Sequence, residues 1–172
     1  MRHGLTALDV VTEAASRLNL DAAIVARIFD ETPLDFPVHF RDRLPLFAHR
    51  LGMIGITLAA RVWLLASARQ LPADALIALI RHEAEHVRQQ RERPILFYPR
   101  YALGYLIGLL RPSSTGSLGD ESSDGRRHAS RREHSRTHRA YRSIGYEREA
   151  YAADTTAREE IARALGRSRR RG

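Results

Sequence analysis

The sequence predicts an α+β domain, mostly helical, with a small β-hairpin or sheet packed on one central helix. Three observations lead there. Apolar residues recur at spacings of three and four in several separate segments, the pattern of amphipathic helices. Two short runs of β-branched and large apolar residues, 53–58 and 61–65, are separated only by Ala59-Ala60, which reads as a hairpin. The chain has 172 residues and is 44% hydrophobic, enough to bury one core.

Taken in order, Thr6 can cap a first helix, with Asp9 as its capping-box partner, and Leu8, Val11, Ala15 and Leu18 form the apolar face as far as Asn19. Asp21 can cap a second helix carrying Ile24, Val25, Ile28 and Phe29, which Thr32-Pro33 stops. Residues 1–34 thus form a helical hairpin without chemical groups of note. Phe36-Pro37-Val38-His39-Phe40 reads as a short strand, at a sheet edge because of Pro37. Residues 43–51 lean to a short helix. Pro72 suits the first turn of the central helix, which spans 73–93 until Pro94 ends it. This completes a core unit of 35–110, whose last part, 95–110, is apolar and aromatic. There Tyr98, Tyr101 and Tyr105 share a helical face with Leu109, as expected of a core helix under the central one. Its tyrosines and arginine beside an apolar run also allow a weak peripheral membrane contact through 95–110. A final helix over 139–166 and a frayed basic tail, 167–172, close the chain.

All 28 basic side chains are arginine, and the net charge is +8. Residues 111–142 hold eight arginines against four acids, and residues 158–172 hold six against two. These two segments account for the whole excess. The stretch 111–138, rich in Ser, Gly, Asp, Arg and His, has the composition of disordered chain. Its histidines, with His128, His134 and His138 at the end, lie on a poor place to fix a cation. Nucleic acid is not an expected partner, since no binding-fold signature is present and the aromatics do not interleave with the arginines. No cysteine is present, so disulfides, thiolate metal sites and a cysteine nucleophile are excluded. The N-terminal residues lack the apolar core of a secretory signal, and no run of 18 apolar residues exists, so a cytoplasmic location is expected.

The chemistry concentrates in the central helix, at His82, Glu83 and His86. Helical positions i and i+4 lie on one face, where two imidazoles can hold one Zn²⁺ at about 2.0–2.1 Å each. Glu83 follows by one residue, which places its carboxylate beside the ion to accept a proton from an activated water. This is the metallopeptidase pairing of two ligands and a general base. A catalytic zinc needs a third protein ligand. A third histidine six residues after His86 is ruled out, because that position is Glu92. A glutamate on a later helix is the other solution, and Glu147 and Glu149 are the candidates.

Glu147-Arg148-Glu149-Ala150 resembles the Glu-x-x-Ala signature that supplies the third ligand in gluzincin-type peptidases. That resemblance implies Glu147 as ligand, with Glu149 and Asp154 in supporting roles. The stretch Leu79, His82, Glu83, His86, Val87, Gln89 and Gln90 resembles the HEXXH core domain of extracellular contractile injection system cargo proteins. It implies a minimal zincin-like domain, Zn²⁺ as cofactor and a peptide or protein substrate. It also implies delivery as cargo, with a partner protein of a toxin-delivery system. Tyr146 is the candidate donor to a developing oxyanion, beside Tyr141 and Tyr151. The alternative is a catalytically weak or inactive zincin-like interaction module.

Overall fold

A computed structural model describes residues 4–30, 32–45, 48, 53–110 and 144–169. The fold is α+β and mostly helical. Five α-helices and one three-stranded sheet lie among these residues: α1 (Ala7–Arg17), α2 (Ala22–Phe29), β1 (Val38–Arg41), β2 (Gly55–Leu58), β3 (Arg61–Leu65), α3 (Ala73–Glu92), α4 (Phe97–Leu110) and α5 (Gly145–Arg169).

The first two helices start as their sequence dictates. The Asp9 amide donates to Thr6 Oγ1 (3.2 Å) while the Thr6 amide donates to the Asp9 carboxylate (2.8 Å), a complete capping box. The Ile24 amide donates to Asp21 Oδ1 at 2.8 Å. Backbone bonds from Ala7 to Phe36 O and from Leu8 to Leu34 O tie α1 to the chain leading into β1.

The sheet has the order β1-β3-β2, with β1 parallel and β2 antiparallel to β3. Both β1 and β2 are therefore edges. The β2–β3 turn is Ala59-Ala60, both at positive φ (48° and 55°). Such a two-residue turn matches the strand twist, but left-handed backbone is costly for alanine. Side chains from two helices hold it. The Ala60 amide donates to Gln90 Oε1, and the Ala59 amide to Tyr98 Oη, each at 2.8 Å. Gln90 Nε2 also donates to Thr57 O at 3.0 Å, so Gln90 staples the hairpin to α3.

The core is built around α3, which packs against α1, α5, β2 and β3. Leu76, Ile77, Ala78, Ile80, Ala84 and Val87 are all buried, together with Val62 and Leu64 of the sheet. On α5 the buried positions Glu147, Ala150, Ala157 and Ile161 form a stripe at helical spacing. Ala150 and Ala157 let α5 approach α3 closely, and Glu147 begins the same stripe. Burying that carboxylate is a consequence of this register.

Four expectations need correction. Pro72 sits at the N-cap of α3, not in its first turn. The fourth helix begins at Phe97, because Pro94 ends α3 and the chain turns before it resumes. It is not a core helix throughout: Phe97, Tyr101 and Tyr105 pack inward against Ile144 and Tyr146, but Leu103, Leu106 and Ile107 are exposed. The last helix runs on to Arg169, so residues 167–169 are helical rather than a frayed tail. Most of the helix expected over 43–51, the basic stretch 111–138 with its histidines, and Tyr141 lie outside the described residues. Among the described residues, no helix is long and apolar enough to cross a membrane.

Candidate metal centre

His82 and His86 stand one turn apart on the inward side of α3, and Glu147 meets them from the first turn of α5. One ligand atom from each residue lies within 4.8 Å of the others. Glu147 Oε1 is 3.2 Å from His86 Nε2, and Oε2 is 3.6 Å from His82 Nε2. All three side chains are buried. Despite the proximity, His86 Nε2 and Glu147 Oε2 have no hydrogen-bond partner among the described residues. Buried polar atoms left without partners cost about 1–3 kcal/mol each. Two such atoms converging with a second imidazole fit a cation, which would satisfy them together. The cluster can therefore hold a metal ion.

His86 is oriented from behind. Its Nδ1 lies 3.0 Å from Gln89 Oε1. An amide oxygen carries no proton, so Nδ1 is the donor, and Nε2 is the nitrogen offered to the site. Gln89 is fixed in turn, its Nε2 donating to Tyr146 O (3.2 Å) and to Glu149 Oε2 (2.9 Å). A relay from Glu149 through Gln89 to His86 results, the outer support that ligand histidines require. Glu149, on the exposed side of α5, reaches the site through this relay alone, whereas Glu147 lies in the cluster. Asp154, expected to orient a ligand histidine, is engaged by Arg158 at 2.8 Å instead.

Glu83 is buried beside this cluster. Thr57 Oγ1 donates to Glu83 Oε2 at 2.6 Å. The other oxygen rests against Gly55: a Cβ added there would fall 2.6 Å from Glu83 Oε1 and 2.7 Å from Leu64 Cδ2. The edge strand β2 thus shapes a slot for the carboxylate. Gly55→Ala is expected to destabilise the fold by about 1–3 kcal/mol through this overlap. It should also displace Glu83, which thermal melts and activity assays on the variant can read together.

A cavity of about 370 Å³ opens in front of these residues. Glu83, His86 and Glu147 form its polar end, and its walls are largely apolar, with Met53, Ile56 and Leu58 on one side and Phe97, Tyr101 and Tyr105 on the other. Tyr101 Oη donates to Glu147 Oε1 at 2.6 Å. Tyr146, the tyrosine singled out in the sequence, stacks on Phe97 (centroids 4.9 Å apart), and its buried hydroxyl has no hydrogen-bond partner among the described residues. Tyr151 sets its ring edge-on to His82 at 4.9 Å.

Burial alone would depress the His86 pKa, but the Glu147 carboxylate, helped by Glu83 and Gln89, raises it to about 9. Burial likewise opposes ionisation of Glu147, yet His82, His86 and Tyr101 hold its carboxyl far below the usual carboxylate range. In the metal-free chain the His86 contribution to stability is full below about pH 6.5 and is lost as pH rises through about 9. The Glu147 contribution is present above its unfolded value near 4.5 and is lost as pH falls. A metal must displace the His86 proton. Affinity is therefore expected to climb about tenfold per pH unit from 6.5 toward 9, with about one proton released per ion. Calorimetry in buffers of different ionisation enthalpy measures that release.

Glu85, an extra acid beside the motif, is buried on another side of α3 between Arg81 (3.2 Å) and Arg88 (3.1 Å). Burial would raise its pKa, but Arg88 and Arg81 hold it below the ordinary range.

No family model, curated protein or solved structure matches the chain. The assignment of the site rests on its residues and their geometry.

The sequence did not single out Thr57, Gly55, Gln89 or Tyr101 for roles in the site. Gln89 carried a signal, as part of the Gln-Gln pair after the motif. Tyr101 carried only its spacing with Tyr98 and Tyr105, which also describes packing.

Proposed function

We propose that the chain is a zinc-dependent metallopeptidase of the HEXXH-plus-glutamate type. The observation that carries this reading is Glu83 beside the buried His82, His86 and Glu147 cluster, with Glu83, His86 and Glu147 lining one cavity. His82, His86 and Glu147 would hold the ion, a donor set of imidazoles and carboxylate suited to zinc. Bound zinc supplies an acidified water and a polarised carbonyl. Glu83 takes the proton from water in the cavity and returns it to the leaving amine. Thr57 and Gly55 fix the carboxylate for that transfer. The Tyr101 hydroxyl lines the cavity and, by turning its one proton from Glu147 to the substrate, would meet charge developing on a substrate oxygen. The apolar walls favour a substrate with a large apolar side chain next to the scissile bond. The Leu79 to Gln90 resemblance to injection-system cargo domains supports delivery alongside a toxin-system partner as the setting of that activity.

The test is a digest. The zinc-loaded chain is incubated with an unbiased peptide pool, and new termini are read by mass spectrometry. Cleavage that a chelator stops and zinc restores supports a peptidase. Stoichiometric metal without cleavage of any peptide would replace this reading with the interaction module.

A further inference from the structure

We infer that the outer face of α4 docks on an anionic membrane surface. Ile95 (83% exposed), Leu96 (55%), Leu103 (56%), Leu106 (52%) and Ile107 (46%) are large apolar side chains left in solvent. The three within α4, Leu103, Leu106 and Ile107, fall inside about 100° of arc at 100° per residue. They form one continuous face rather than scattered exposures, and such faces mark interaction sites. Arg100, exposed, lies at its margin, and the exposed Arg93 precedes the helix. An apolar helix face with arginine at its border is the composition of an interfacial helix.

Three observations select lipid as the occupant. The chain carries a net charge of +8, which attracts an anionic surface and opposes a second copy of itself. The 14 residues of α4 offer a footprint of about 200 Å², far below the roughly 800 Å² per partner of a stable dimer. The undescribed residues 111–143 that follow α4 include only Leu118 and Tyr141 as large apolar residues, too few to cover five aliphatic side chains. The opposite face of the same helix supplies Phe97, Tyr101 and Tyr105 to the cavity wall. Docking would therefore set the cavity beside the lipid surface. This inference is independent of the metal reading.

The full chain, with and without added zinc, is sedimented with vesicles of phosphatidylcholine alone or mixed with phosphatidylglycerol. Binding to the mixed vesicles only, reduced by 0.5 M salt, is expected. The triple variant Leu103→Gln, Leu106→Gln, Ile107→Gln keeps the net charge and should bind at least tenfold more weakly, with Leu103→Gln alone intermediate and natively folded by circular dichroism. Wild-type protein that stays in solution overturns the inference. So does a variant that binds as well as wild type, which would assign the affinity to the arginines alone. A wild-type dimer that the variant dissolves would make a second copy the occupant.

Discussion

Glu83→Gln is expected to keep its metal and lose its chemistry. The exchange is nearly isosteric. A glutamine oxygen can still accept from Thr57 Oγ1, and its amide fits the slot against Gly55. Glu83 is outside the cluster formed by His82, His86 and Glu147, so metal content should be unchanged. What disappears is the only function the amide cannot supply, taking a proton from water. General-base catalysis is worth about 10²–10⁴-fold, so kcat/KM on any cleaved peptide should fall by that range or more. Metal stoichiometry and kcat/KM measured on the same sample decide it. Cleavage retained in the variant would remove Glu83 from the mechanism.

The second large effect separates the two candidate glutamates. Glu147→Ala removes a carboxylate that is fully buried against both histidines, and the site is left with two ligands. Metal affinity should drop by more than the roughly 10–100-fold that outer-support changes cost. In the metal-free protein the His86 pKa should also fall, because Glu147 is the largest of the groups that raise it. Glu149→Ala acts only through Gln89, so its loss should stay within that 10–100-fold range. Parallel zinc titrations of the two variants measure both. Equal losses, or a larger loss for Glu149→Ala, would move the third ligand to Glu149.

The helices were legible because their signals are local. Thr6 with Asp9 and Asp21 cap as read, and the apolar spacing of α3 places its ends within a residue. Two histidines at i and i+4 on a helix with apolar flanks also announce themselves. Glu147 needed more, since its approach depends on an Ala150, Ala157 and Ile161 stripe docking α5 on α3, a tertiary fact. Its candidacy was readable from a motif, its burial was not. The hairpin turn was found from two flanking runs, although Ala59-Ala60 carries none of the usual turn residues. Gln90 and Tyr98 hold that turn from distant positions, which no local pattern encodes. The α4 helix misled because its composition is apolar all round. Composition reports what a helix could bury, whereas the neighbours present decide which face is covered.

The central claim is that His82, His86 and Glu147 form one metal site. Elemental analysis of the purified chain after zinc is supplied, beside a His86→Ala variant, tests it most directly. One zinc per chain, lost in the variant, is the predicted result. No metal in either protein would contradict the account and leave the motif as a buried hydrogen-bonded cluster on α3.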